Sequence, residues 1–241
     1  MPINRLNLKL DLSLLNIAPT SLNILMPSTK EHLKNNFDTL HNQIRQMPIR
    51  QFKEAVDIPD YSEIRQCGFF AMRQGFQLVN NNEDCFIHAR REDTDCKGNF
   101  SGDKFHISVL KEQMPQAFKA LSGLLFSENS PVNKWKITDT ELIAHQSRVG
   151  TGAQFTLYIK PDQENSQYSV FLLHKTRQFI EHLEFRLAEK GITPGQYPES
   201  DVRPEKWKYL SYRNELRSER DGGEIQQQAL REEPFYRLMT A

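Results

Sequence analysis

The chain has 241 residues, of which 31 are Lys or Arg and 31 are Asp or Glu, so its formal net charge is zero. A chain without net charge has no long-range field that draws it to nucleic acid or to an anionic membrane, so neither is an expected partner. The length and the 38% hydrophobic content suit one globular domain, and the apolar runs are too short for a membrane-spanning helix.

The first 27 residues differ in pattern from the rest of the chain. Leucines alternate with mostly polar residues here, at Leu6, Leu8, Leu10, Leu12 and Leu14. A period of two predicts an extended segment with the leucines on one face. It fits an edge strand of the domain, and it equally fits a mobile arm or a linear motif that docks in the groove of another protein. The start lacks the features of a Sec-type signal peptide.

Helical spacing begins at Ser28. Ser28 and Glu31 have the spacing of a capping box, and apolar residues then recur at helical intervals until Pro48. A second helix is predicted to start near Pro115, and the longest helix is predicted over 168–190.

Five stretches have the composition of strands: 76–79, 85–89, 104–109, 135–138 and 154–160. Helices and strands do not alternate regularly along the chain. We therefore expect an α+β fold, a single compact domain of mixed helices and mainly antiparallel strands with an extended N-terminal arm, rather than a doubly wound α/β sheet.

Polar residues occur in pairs, two positions apart, on three of these segments. The pairs are Lys104 with His106, Lys134 with Lys136, and Tyr158 with Lys160. Residues at i and i+2 of a strand share a face. A solvated strand face explains any one pair, but three pairs together favour a shared anion-binding surface.

Arginines interleave with acidic residues over 212–223. This composition favours a salt-bridged, solvated helix or turn. The alternative is that Arg213 and Arg220 clamp phosphate oxygens with their planar guanidinium groups. Arg148 is another candidate, because Gly150 and Gly152 follow it and glycines allow close approach of the backbone to an anion.

Several common catalytic patterns are poorly supported by the sequence. Cys67 and Arg73 have the Cys-x5-Arg spacing of cysteine-dependent phosphatases, but the residues between them are bulky and apolar. The three cysteines do not pair as zinc ligands, and we expect them to be reduced thiols. The histidines, among them His88 and His174, lack metal-ligand spacing, and there is no P-loop or nucleophile elbow.

Five longer motifs, taken together, resemble one known family. They are GDKFHIS at 102–108, ALSGLLFSE at 120–128, AQFTLYIK at 153–160, WKYLSYRNELR at 207–217 and REEPFYRL at 231–238. They resemble the phosphothreonine lyase effectors of enteric pathogens, and the resemblance extends over essentially the whole chain. Departures concentrate in the arm, around residues 80–97 and near 191–196.

The resemblance implies an irreversible β-elimination of phosphate from phosphothreonine in the activation loop of host MAP kinases, phosphorylated on Thr-x-Tyr. The product is dehydrobutyrine, and no metal or cofactor is needed. It further implies that Lys136 is the general base and His106 the general acid. The implied substrate-binding residues are Lys104, Arg148, Tyr158, Lys160, Arg213 and Arg220, with Phe86, Arg90 and Phe100 as further contacts.

The implied chemistry requires a lysine without its proton, because only the free amine can remove the weakly acidic Cα proton. Crowding of Lys136 by Lys104 and arginines is expected to lower the pKa of Lys136. An imidazole titrates near neutral pH, which suits His106 to the protonation of the departing oxygen.

The resemblance also assigns roles to the arm. It implies secretion by a type III system into the host cell, action in the host cytoplasm or nucleus, and a kinase-docking motif. Basic and apolar residues of the arm fit such a motif: Arg5, Lys9, Leu10 and Leu12. We therefore expect an arm over 1–27 and a catalytic domain over 28–241. Two alternatives stay open, a phosphopeptide-binding module without lyase activity and a conventional phosphatase.

Overall fold

The computed structural model describes residues 28–68, 70–81, 83–92, 97–143, 148–217 and 222–241. The arm, with Arg5, Lys9, Leu10 and Leu12, lies outside the described residues, and so does Arg220. Of Arg148 only the backbone is described.

Seven strands form one sheet in the order β1-β2-β3-β5-β6-β4-β7. Their bounds are β1 Ala71–Arg73, β2 Phe76–Val79, β3 Phe86–Arg91, β4 Asp103–Ile107, β5 Lys134–Thr138, β6 Phe155–Tyr158 and β7 Leu210–Asn214. Every neighbouring pair in the sheet is antiparallel. The five predicted strands are confirmed, as is the prediction of an α+β fold with mainly antiparallel strands.

Helices cover one face of the sheet and its ends. Their bounds are α1 Thr29–Asn35, α2 Phe37–Gln46, α3 Tyr61–Arg65, α4 Met114–Leu125, α5 Arg148–Thr151, α6 Val170–Glu189, α7 Glu224–Arg231 and α8 Pro234–Thr240. The capping box of Ser28 and Glu31 is present. The predicted first helix is interrupted at Asn36, whose amide side chain donates to the carbonyl of His32. Side-chain hydrogen bonds of Asn to the backbone compete with helix formation in this way.

The core lies on one side of the sheet only. Alternation along the strands places Phe105, Trp135 and Leu157 on this side, all fully buried. Phe118 of α4 and Phe126, which follows it, pack their rings against Trp135 at centroid distances of 6.3 and 5.3 Å. The polar residues of the same strands therefore lie on the opposite face of the sheet, among them Lys104, His106 and Lys136.

Strand β7 corrects the expectation of a solvated helix or turn over 212–223. Leu210 and Tyr212 are fully buried and alternate with Ser211 and Arg213, so the segment extends the sheet beside β4. Isolated charge patterns do not show this pairing, because it depends on a partner strand about a hundred residues away. The short strand β1 was also not predicted.

Beyond the strand, Arg217 forms ion pairs with residues outside its own segment. Arg217 contacts Glu233 at 3.1 Å and approaches the buried Asp103 at 3.8 Å.

Along the ranges that the structure describes, no helix is long and apolar enough to cross a bilayer.

Candidate active site

Two rows of side chains cross the polar face of the sheet. The cross-strand register defines the first row as His88, Lys136, Thr156, His106 and Ser211. The second row, two residues along each strand, is Arg90, Lys134, Tyr158, Lys104 and Arg213. Directly opposed residues of antiparallel strands point to the same side. The structure therefore brings together the separate polar pairs of the sequence, apart from Lys160, which lies just beyond the end of β6.

The candidate base and the candidate acid occupy the same row. Lys136 is on β5 and His106 on β4, and Thr156 of β6 lies between them. Two strand spacings separate the backbones of β5 and β4 by about 10 Å. A substrate group held over this row would be contacted by an amine on one side and an imidazole on the other.

The amine of Lys136 lies against an aromatic ring. Its Nζ is 3.6 Å from the centroid of the Phe86 ring. The pKa of Lys136 is lowered, first because burial disfavours the ammonium ion and to a smaller extent because of the charge of Lys104, while Asp84 acts in the opposite direction. The expected lowering is confirmed, but its main cause is burial rather than crowding by cations.

The imidazole of His106 is fixed by a carboxylate that the sequence analysis missed. His106 Nδ1 lies 2.6 Å from Oδ2 of Asp201, whose side chain is completely buried. Because a carboxylate only accepts, Nδ1 carries a proton in this hydrogen bond. Ser211 donates to the same oxygen at 2.7 Å. Asp201 is 95 positions from His106 and belongs to no recognisable motif, so only the need of a histidine for an orienting partner points to it.

Lys104 pairs with Glu215, a second residue that the sequence analysis did not assign. Lys104 Nζ is 3.1 Å from Glu215 Oε2, and the lysine side chain is only 8% exposed. Burial lowers the pKa of Lys104 even with this partner present. Burial by itself would raise the pKa of Glu215, but its hydrogen bond from Lys104 and the surrounding cations together lower it. Glu215 is thus a carboxylate inside a predominantly cationic patch.

Arg213 is buried at the end of the second row, where Nη1 donates to Oγ of Ser200 at 3.0 Å. Ser200 also donates to Oδ1 of Asp201 at 3.2 Å. The arginine and the imidazole of His106 are therefore linked through one loop that contains Ser200 and Asp201.

Aromatic residues line the second row. The Tyr158 ring lies 5.8 Å from Lys104 Nζ and 4.9 Å from Lys134 Nζ, and the Phe100 ring packs edge-on to it at 5.6 Å. Arg90 is exposed beside Lys134. These contacts place Phe100, Arg90 and Tyr158 at the edge of the same patch.

The neighbourhood of Arg148 differs from expectation. Arg148 is the first residue of α5. Gly152, which follows this helix, packs against the backbone of Gln196, since an added Cβ there would lie 1.5 Å from the carbonyl oxygen of Gln196. The close approach that the glycine permits is thus to another backbone segment and not to an anion.

The face combines cations with the candidate base and the candidate acid. Burial raises the pKa of the Cys67 thiol, which opposes its use as a nucleophile. Within the described ranges, no group of three or more His, Cys, Asp or Glu residues is placed to hold a metal ion. The arrangement suits binding of a phosphorylated group and proton transfer on either side of it.

Comparisons of the whole sequence with known proteins identify a family. The OspF/SpvC family model matches residues 2–241. A MAPK phosphothreonine lyase of Salmonella typhimurium is 69% identical over 240 residues, covering 100% of both chains. The phosphothreonine lyase OspF of Shigella flexneri is 61% identical over 239 residues, covering 99% of each.

Solved structures give the same result for the fold. The Salmonella plasmid virulence C protein (SpvC) superposes with a TM-score of 0.87 at 72% identity, covering 89% of this chain and 100% of that one. The VirA (SpvC) phosphothreonine lyase effector of Chromobacterium violaceum gives a TM-score of 0.86 at 70% identity, covering 88% and 99%. The sequence match extends over the full length of the chain, and the solved structures have the same fold. The chain therefore belongs to the OspF/SpvC family.

Proposed function

We propose that this chain performs the phosphothreonine lyase reaction with Lys136 as general base and His106 as general acid. Its family membership and its 69% identity to MAPK phosphothreonine lyases make the chain a phosphothreonine lyase that acts on MAP kinases. The assignment of roles to individual residues is the proposal, and it is supported by the geometry of the two rows.

The reaction is a β-elimination. The free amine of Lys136 takes the Cα proton of phosphothreonine, and the electron pair of that C–H bond becomes the second bond between Cα and Cβ. The Cβ–O bond breaks, and the phosphate leaves with its electron pair and receives a proton from Nε2 of His106, which enters the step as an imidazolium with a proton on each ring nitrogen. The product is dehydrobutyrine, which has no hydroxyl that a kinase could phosphorylate again.

The cations stabilise the negative charge that builds during this step. In this proposal Lys104, Arg213 and Tyr158 contact the phosphate or the developing enolate, and Arg148 and Arg220 complete the phosphate site. Lys160 receives the neighbouring phosphotyrosine of a Thr-x-Tyr motif, with contacts from Phe86, Arg90 and Phe100. Burial of Lys104 and Arg213 supports these roles, because buried cations interact strongly with an anion.

One observation carries the assignment. Lys136 and His106 stand in a single cross-strand row on either side of Thr156, and the lysine pKa is lowered by burial. A lysine with a lowered pKa supplies more free amine near neutral pH. The hydrogen bond to Asp201 supports the second role, because it fixes the orientation of the imidazole ring.

The remaining parts of the proposal concern partners and location. Residues 1–27 would carry a type III secretion signal and a kinase-docking motif formed by Arg5, Lys9, Leu10 and Leu12. The protein would act in the host cytoplasm or nucleus. Docking through the arm would raise the effective concentration of the activation loop at the site.

Mass spectrometry of a doubly phosphorylated Thr-x-Tyr peptide tests the reaction. We expect a product one water lighter than the hydrolysed peptide, and we expect Lys136→Ala to bind the peptide but form no such product. The hydrolysed mass would indicate a phosphatase, and unchanged peptide a binding module. Strong residual elimination by Lys136→Ala would remove Lys136 from the role of base.

A further inference from the structure

Lys104, in the second row, is paired with a carboxylate at the solvent edge of the sheet. Lys104 Nζ donates to Oε2 of Glu215 at 3.1 Å. Tyr158 and Arg213 are the cross-strand neighbours of Lys104 on either side. The lysine side chain is 8% exposed and that of Glu215 is 41% exposed. The pair therefore joins a nearly buried ammonium group to a carboxylate that reaches the solvent.

The backbone of Glu215 is fixed, although its side chain is half-exposed. Its N–H donates to the carbonyl oxygen of Gly102 at 2.7 Å, which continues the ladder between β4 and β7 by one residue. In this register Glu215 lies on the same side of the sheet as Arg213, two residues earlier. Movement of the carboxylate away from Lys104 is therefore a rotation of the Glu215 side chain and needs no rearrangement of the sheet.

The charges around the pair keep the Glu215 carboxylate ionised. Burial by itself would raise the pKa of Glu215, but the hydrogen bond from Lys104 and the charges of Lys104, Lys136 and Arg213 together lower it. A buried ammonium group is costly without an anion beside it. Glu215 therefore supplies the negative charge beside Lys104 while the site holds no phosphate.

A bound phosphate needs the same lysine. In the proposed reaction Lys104 contacts the phosphate or the developing enolate, and the Glu215 carboxylate would repel an anion held at short distance from it. The phosphate and the carboxylate therefore compete for one ammonium group. The exposure of Glu215 gives its carboxylate an alternative partner, which is water.

We propose that Glu215 exchanges with phosphate at Lys104: its carboxylate pairs with the lysine in the free enzyme, turns to solvent when the phosphorylated substrate binds, and returns to the lysine as the product phosphate departs. The proposal rests on the role of Lys104 in binding the phosphate and adds how the site releases its product. Glu215 acts through Lys104 and does not touch the reacting atoms, so it is a positioning residue. Its return to the lysine lowers the affinity of the site for free phosphate.

Product inhibition measures this exchange. Initial rates on a doubly phosphorylated Thr-x-Tyr peptide, at neutral pH and constant ionic strength, give the inhibition constant Ki of added inorganic phosphate. Glu215→Gln removes the competing charge and keeps the size of the side chain, so Ki should decrease by about three- to tenfold. A residue that only holds Lys104 in place predicts the opposite sign, because phosphate would bind more weakly to a loosened lysine. A Ki at or above that of the wild type would overturn the proposal.

Matched variants separate exchange from a general effect of charge. Glu205→Gln makes the same change at another exposed acid and should leave Ki unchanged. Glu215→Asp keeps the charge on a shorter side chain, and its Ki should lie between those of the wild type and Glu215→Gln. Added to Lys104→Met, Glu215→Gln should give no further decrease in Ki, because the lysine for which the two anions compete is gone. Equal decreases with and without Lys104, or in Glu205→Gln, would contradict exchange at this lysine.

Lys104→Met by itself distinguishes the exchange from the proposed function. Its Ki should increase by about tenfold or more, since a buried cation of the phosphate site is lost. An unchanged Ki in Lys104→Met would refute the contact between Lys104 and the phosphate, on which the exchange depends. An increased Ki in Lys104→Met, together with no decrease in Glu215→Gln, would overturn the exchange and leave the role of Lys104 intact.

Discussion

His106 and Asp201 form a hydrogen-bonded pair 2.6 Å apart, and the carboxylate of Asp201 is completely shielded from solvent. The hydrogen bond fixes the orientation of the imidazole ring in the row that contains Lys136. Ser211 and Ser200 hold the two oxygens of Asp201 in turn. The acid of the proposed reaction is therefore oriented by a network that no single segment of the chain contains.

Asp201→Asn should decrease kcat by about 10²- to 10³-fold, because the amide removes the charge that orients and supports the imidazole. KM should change little, since Lys104 and Arg213 remain. Ser211→Ala loses one hydrogen bond to Asp201 but keeps the carboxylate, and its kcat should decrease only several-fold. Steady-state kinetics with a phosphopeptide measure both, and thermal unfolding checks the fold. A wild-type kcat in a folded Asp201→Asn would contradict the role of the pair.

Lys104→Met should move the rising limb of the rate profile to higher pH. The positive charge of Lys104 lowers the pKa of Lys136, so its loss lets that pKa return toward its usual value. Less free amine is then present at neutral pH. The profile of kcat/KM between pH 6 and about 10 tests this, since the rising limb lies below the ordinary lysine pKa of about 10.4. A shift to lower pH would show that Lys104 does not act on the base in this way.

Thr156→Leu should reduce kcat/KM by about 100-fold or more, because a longer side chain would fill the gap between Lys136 and His106. Thr156 is almost fully buried between the two strands that carry them. Thr156→Ser keeps the small size and should retain most activity. Binding of a non-reactive phosphopeptide should weaken in the leucine variant only. Equal activity of the leucine and serine variants would mean that the substrate does not pass over Thr156.

Deletion of residues 1–27 should lower kcat/KM for a whole doubly phosphorylated MAP kinase by about tenfold or more through loss of effective concentration. The same deletion should leave cleavage of a short phosphopeptide unchanged. Replacement of Arg5 and Lys9 by Ala in the full-length chain should have an intermediate effect on the kinase alone. Equal losses on both substrates would indicate that the arm is needed for the fold rather than for docking.

Gly152→Ala should destabilise the fold by about 2 to 4 kcal/mol, because the new Cβ would collide with the backbone of Gln196. Gly191→Ala is a suitable control, since its Cβ would meet no neighbour and only the positive φ of 65° would oppose it. That control should cost about 1 kcal/mol. Urea unfolding measures both, and equal stabilities would contradict the close packing at Gly152.

The sequence was sufficient to predict most elements that depend on local pattern. Alternation predicted β2 to β6, and the spacing of Ser28 and Glu31 predicted a capped helix. The polar pairs that contain Lys104 and Lys136 were recognised because i and i+2 share a face on any strand. The resemblance to a known family then supplied roles for these pairs, and the structure brought the pairs together on one face.

Only the tertiary structure decided which strands lie side by side. The strand order in turn decided which side chains meet in the candidate active site. β4 pairs with β6 and β7, so His106, Thr156 and Ser211 meet although they are far apart in the chain. The pairing of Asp201 with His106 and of Glu215 with Lys104 was also visible only in the folded chain, since burial and partner distance are properties of the fold. The net charge of zero is a sum over the whole chain and excludes only long-range attraction. Folding places five of the cations in the rows on one face of the sheet: Arg90, Lys104, Lys134, Lys136 and Arg213. Their local field can bind a phosphorylated substrate, because electrostatic interactions depend on distance and burial and not on the total charge.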